Sequence, residues 1–131
     1  AALEIGGKAE TGKGLALALE TLADGRAWKK FEAICEAQGG MRIPPKAVHV
    51  HPLEAPHAGR VVQINNRKLS RLAKLAGAPE AKAAGIHMKV GLGDRVDSGQ
   101  PLLHLHAETP GELAYAIDYA AQAADIIEIE A

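Results

Sequence analysis

The period of hydrophobic positions changes part-way along this chain. Residues 14–23, GLALALETLA, repeat apolar side chains at helical spacing, and Asp24-Gly25 stops the repeat. Residues 26–38, RAWKKFEAICEAQ, predict a second amphipathic helix. Trp28, Phe31, Ile34 and Cys35 fall at i, i+3, i+6 and i+7, one stripe of a helical surface. Gly39-Gly40 closes it, because glycine accepts the left-handed conformation of a helix C-cap. The two segments read as a helical hairpin with a short Asp-Gly connection. Ile43-Pro44-Pro45 then cannot continue a helix.

Beyond the prolines the period shortens to two. Residues 47–51 and 59–64 read as strands, with Pro52 and Pro56 marking a loop. Asn65-Asn66 turns the chain into a helix over 67–76, with Leu69, Leu72 and Leu75 on one side. Gly77-Ala78-Pro79 ends that helix. Strands follow at 86–90 and 102–107, punctuated by Gly93-Asp94 and Ser98-Gly99-Gln100-Pro101. Pro110-Gly111 opens a helix over 111–123, and 125–130, DIIEIE, predicts a final strand. The fold class is α+β: a helical hairpin, residues 1–40, then a small mixed β barrel-sandwich with two helices, residues 41–131.

Composition narrows the function classes. The chain has 131 residues, 47% hydrophobic but only 3% aromatic, so its core must be aliphatic. A net charge of -1 gives no electrostatic footprint for nucleic acid or an anionic membrane, and scarce aromatics give no stacking platform for bases. No apolar run approaches the roughly 20 residues of a membrane span. A single cysteine, Cys35, excludes an internal disulfide and fits a reducing, cytoplasmic setting. Residue 1 is Ala and runs into apolar Leu3-Glu4-Ile5, which suggests a cut through a longer polypeptide.

Several groups invite a chemical reading. Gly7 to Gly14 approaches a phosphate-binding GxxxxGK[ST] loop, but Gly14 replaces the hydroxyl that would hold magnesium. The plainer reading is a Gly-rich connection entering a helix. His49 and His51 share one face of a strand, and so do His104 and His106; on adjacent strands the two pairs would bring four imidazoles to zinc distance. The plainer reading is a half-exposed polar face, and no metal is assigned. Cys35 lies on an apolar stripe, which predicts a buried, inert thiol. Glu54, Glu108, Asp94 and Asp97 show no pairing for acid–base work, and the two aspartates sit in turns, where Asp serves the backbone. Arg67, Lys68, Arg71 and Lys74 give one helix a basic, solvated face. Neither Ser70 nor Ser98 sits in a nucleophile elbow. No catalytic, cofactor-binding or metal residue is assigned.

Two resemblances compete for the β-rich part. Glu54 to Val61 and Val90 to Leu103 resemble strands and turns of biotinyl or lipoyl carrier domains. A carrier needs a modifiable lysine at a hairpin tip, yet His104 to Pro110 has none there, and Met88-Lys89 lies ahead of the turn. Ala58-Gly59-Arg60-Val61-Val62-Gln63-Ile64-Asn65-Asn66-Arg67, Gly77-Ala78-Pro79, Gly93-Asp94-Arg95-Val96, Gly99-Gln100-Pro101-Leu102 and His106-Ala107-Glu108 resemble instead the C-terminal end of the pyrimidine nucleoside phosphorylases. The match is to the archaeal-type branch, which holds thymidine phosphorylase-like proteins and AMP phosphorylases. Leu3 to Gly7 and the helical hairpin resemble the tail of that family's catalytic domain. The resemblance implies a parent enzyme that cleaves a nucleoside with phosphate as co-substrate, giving base and (deoxy)ribose 1-phosphate, with no other cofactor. It implies that the phosphate- and base-binding residues lie on catalytic and helical domains upstream. The present chain would then be an inactive scaffold for cleft closure, of unspecified oligomeric state.

Overall fold

The computed structural model describes residues 1–123 and 125–131. The chain divides into two compact units, Ala1–Ile43 and Pro44–Ala131.

The first unit holds α1 (Ala2–Ile5), α2 (Gly14–Ala23) and α3 (Arg26–Ala37). α1 is a single turn that the sequence pattern does not announce. α2 and α3 form the expected hairpin, and the connection is tight because Gly25 sits at φ 81°. Arg26 fastens that turn: its Nε donates to Asp24 Oδ2 at 2.6 Å and its guanidinium reaches Glu20 Oε1 at 2.8 Å. These groups are exposed, so the clamp sets geometry more than stability. Gly14 is the one buried residue of the two longer helices.

The second unit contains β1 (His49–Glu54), β2 (Gly59–Ile64), α4 (Asn66–Leu75), β3 (Gly85–Met88), β4 (Arg95–Val96), β5 (Pro101–Ala107), α5 (Pro110–Gln122) and β6 (Ile127–Glu130). The described strands form two three-stranded antiparallel sheets, β1–β5–β3 and β4–β2–β6, and no closed barrel. The short strand β4 lies where the sequence reads only turn. Both helices begin one residue ahead of the starts the sequence predicts. Asn65 Oδ1 accepts the Lys68 N–H at 3.2 Å, and Thr109 Oγ1 accepts the Glu112 N–H at 3.3 Å while donating to Glu112 Oε2 at 2.7 Å. No helix is long and apolar enough to cross a membrane among the described residues.

The core is aliphatic, as the composition requires. Leu72, Leu103, Leu105 and Val61 are its largest fully buried side chains. Leu72 comes from the apolar side of α4, with Leu69 and Leu75 packed beside it. Ala76, Ala116 and Ala120 are also buried, so the helices approach the sheets through small residues. α5 packs on β1 and β5, and α4 packs on β3.

Two glycines are fixed by space. Gly77 ends α4 at φ 115°, where an added Cβ would lie 3.0 Å from Ala81 Cβ. At Gly59 an added Cβ would lie 2.2 Å from the Glu130 carbonyl oxygen. Gly59→Ala should therefore force β2 and β6 apart and cost about 1–3 kcal/mol. Gly111→Ala, which meets nothing within 4 Å, should be neutral or stabilising by up to about 1 kcal/mol. Urea denaturation of the two variants checks the contrast.

Candidate metal centre

The register of the first sheet decides which histidines can meet. Directly opposed residues of an antiparallel pair share a face. β1 pairs with β5 so that His49 faces Ala107, Val50 faces His106, His51 faces Leu105 and Pro52 faces His104. His49 and His51 thus lie on the face of Leu105 and Ala107, which are buried. His104 and His106 lie on the opposite face. The four-imidazole arrangement weighed for the two pairs is not formed. The strands are adjacent, but the register is offset by one residue from the one that would bring the pairs together.

β3 supplies the missing neighbour. It pairs with the other edge of β5, with His87 opposite His104 and Gly85 opposite His106. His87, His104 and His106 therefore share one face, and one ring nitrogen from each lies within 4.8 Å of the others. Their ring centroids are 6.3–6.4 Å apart. Sequence reasoning missed His87 because its strand carries no second histidine. The alternation of Gly85, Ile86, His87 and Met88 was legible, but the pairing of β3 with β5 was not.

The three rings differ in surroundings. His87 is exposed, while His104 and His106 are partly covered. His106 Nε2 is buried and has no hydrogen-bond partner. Burial, then the neighbouring His104, His87 and Lys89, hold His106 below the ordinary histidine range. That direction favours the neutral imidazole, the form with a free lone pair. A cavity of about 380 Å³ opens beside it, lined by Pro45, Lys46, Ala47, Val50, Ala83 and His106.

The other candidates resolve into structural roles. The phosphate-loop-like run ends at Gly14, whose N–H donates to Glu4 Oε1 at 2.8 Å. A carboxylate of the chain itself takes the place an anion would take at the N-terminus of α2. Cys35 is half-buried, not buried, because α3 buries none of its residues. On the basic face, Lys68 pairs with Asp125 and Arg71 stacks 5.3 Å over the Tyr119 ring. Asp94 Oδ2 accepts the Gly91 N–H at 2.7 Å, as a turn aspartate should. At the next turn the Gln100 side chain plays that part, accepting the Asp97 N–H at 3.0 Å. Glu108 accepts the Ala83 N–H at 2.9 Å. Met88 closes β3 and the Lys89 N–H donates to the Leu102 carbonyl, so Lys89 follows a paired strand and is not at a hairpin tip.

Comparison with known proteins adds a family to this geometry. Residues 60–127 match the model of the pyrimidine nucleoside phosphorylase C-terminal domain. The chain belongs to this family. The matched span includes all three clustered histidines and both sheets except β1, the first residue of β2 and all of β6 beyond Ile127. The chain is 80% identical over its whole length to "Putative thymidine phosphorylase" of Chelativorans sp. (strain BNC1), covering 26% of that protein. It is 61% identical over 99% of its length to the protein of the same name from Tolumonas auensis, again covering 26%. A third of that name, from Parvibaculum lavamentivorans, is 59% identical over 99% of the chain and 26% of its own length. The chain thus spans about a quarter of the length of the curated relatives it matches. The phosphorylase family match supports the resemblance drawn from Arg60 to Arg67 and Gly93 to Leu102.

The His106 environment in this phosphorylase domain carries a pH consequence. Its folded pKa is depressed, so between that value and the unfolded value the unfolded chain binds more protons. Its neutral form costs nothing at high pH, and stability falls as pH drops below about 6.5. Proton NMR should show His106 titrating below the ordinary range, and replacing both His87 and His104 by Gln should raise it. A His106 titration unmoved by that double change would show that its neighbours do not act on it.

Proposed function

We propose that this chain is the C-terminal scaffold of a thymidine phosphorylase-like enzyme, and that the parent protein cleaves a pyrimidine nucleoside with phosphate to base and (deoxy)ribose 1-phosphate. The observation that carries the reading is the family match over residues 60–127, joined to relatives four times as long that are named for thymidine. In that parent, the phosphate and nucleoside are bound by domains outside this chain. The compact second unit supplies a rigid body on which the cleft closes, and the first unit is the tail of the catalytic domain. The setting is the cytoplasm, where a free Cys35 persists.

One feature of the chain supports this division of labour. The first unit presents apolar side chains outward: Trp28 is 55% and Phe31 50% exposed, and Leu15, Leu19 and Leu22 are exposed on α2. Such a surface is suited to burial against another part of the same protein.

The reading is tested by phosphorolysis. The 131-residue chain, given thymidine and phosphate, should release no thymine, whereas the full-length protein carrying it should. Thymine release by the chain alone would overturn the scaffold role. AMP cleavage without thymidine cleavage by the full-length protein would overturn the substrate. If the apolar helices normally face other domains, the chain alone should self-associate. Sedimentation should show the double change Trp28→Glu and Phe31→Glu returning it to a monomer.

A further inference from the structure

We propose that His87, His104 and His106 form a binding site for a zinc-class divalent cation on the face of the β1–β5–β3 sheet turned away from the core. Nothing in the nucleoside chemistry above calls for this site, and it stands independently of that reading.

Three observations carry it. The first is convergence: one nitrogen from each of the three rings lies within 4.8 Å of the others. Zinc–nitrogen bonds of about 2.0–2.1 Å in a tetrahedral site put ligand nitrogens about 3.4 Å apart. The rings must close by little more than an ångström, within reach of side-chain rotation, and His87 is free to swing at the exposed edge. The second is the backbone that places them. His104 and His106 are two apart on β5, His87 lies opposite His104, and Gly85 opposite His106 offers no side chain to fill the space between rings. The third is the buried His106 Nε2, which has no hydrogen-bond partner. A buried polar nitrogen without a partner carries a cost, and coordination through it removes that cost.

The donor set selects the metal. Three imidazoles without thiolate or carboxylate suit zinc, cobalt, nickel or copper, and not calcium or magnesium. Three protein ligands leave one tetrahedral position to water or another small ligand. The cavity beside His106 gives that position room. Lys89 and Lys46 near the site oppose a second positive charge, and both are exposed to solvent, which screens them. The ion would join edge strand β3 to central strand β5, so binding should stabilise the fold by mass action.

The test is a titration of the chelator-dialysed chain with zinc, followed by calorimetry, and with cobalt, followed by its visible spectrum. The expected result is one ion per chain, with a cobalt spectrum of tetrahedral intensity and a zinc-dependent rise in the unfolding midpoint. His87→Gln, His104→Gln and His106→Gln should each weaken binding by about tenfold or more. The double change His49→Gln and His51→Gln should leave binding within about twofold, because those rings lie on the other face. NMR of the unaltered chain provides a readout that needs no variant: zinc should shift the ring signals of His87, His104 and His106 and leave His49, His51 and His57 in place. Failure of the unaltered chain to bind one zinc overturns the proposal. So does binding that survives all three single changes, or that is lost with His49 and His51, or that shifts the other imidazoles instead.

Discussion

The structure of the second unit depends on the alternation of β5. Leu103, Leu105 and Ala107 are buried on one face, and His104 and His106 stand on the other. Because β5 is the central strand, both edge strands take their register from it. Burying each leucine contributes about 1.5–3 kcal/mol, so a slip of one residue would expose both leucines and bury two imidazoles. That penalty fixes β1 and β3 in their observed positions, and with them which histidines can meet. The polar face is therefore a consequence of the apolar one: the core specifies the register, and the register gathers His87, His104 and His106.

Scarce aromatics shape how the helices join this sheet. α4 and α5 present Ala76, Ala116 and Ala120 at buried positions, beside Leu72 from α4. Small residues let helix and strand backbones approach closely, so the core is filled by aliphatic contact at short range rather than by rings. The same closeness recurs at Gly59, where the Glu130 carbonyl occupies the space of a side chain. The β2–β6 pair is thus as sterically specified as the β1–β5 pair, by a missing side chain instead of a buried one.

Local signals in the sequence located most elements, and non-local pairing decided what they could not. Period and local stop and start residues placed α2, α3, α4 and α5 within a residue or two, since Asn65, Pro110 and Gly77 act on their own helix ends. Alternation located the longer strands but not all their ends: β1 runs His49–Glu54, so Pro52, read as marking a loop, sits inside an edge strand, where a missing N–H is tolerated. β4 has two residues and no period to detect. α1 is a single turn, and its Glu4 finds its role ten positions along at Gly14, beyond the reach of any helical repeat. The histidine pairs show the limit most sharply. That His104 and His106 share a face follows from strand geometry alone. That His87 joins them, while His49 and His51 do not, follows from strand order and register, which are properties of the assembled sheet.

The two units contrast in how they meet the cost of ordering the chain. The second unit has a contiguous buried cluster drawn from both sheets and both helices. The first unit buries only Gly14 within its two longer helices, and its large apolar residues face outward. Helices of 10 and 12 residues are marginal alone, because nucleation is costly and tertiary burial normally supplies the balance. The Arg26 clamp is too exposed to supply it. An amphipathic hairpin whose apolar stripe has no cover within its own unit is therefore the part of this chain that gains most from a further surface. The curated relatives the chain matches are about four times as long. The aliphatic core lies in the second unit, and it is within that unit that the family model matches.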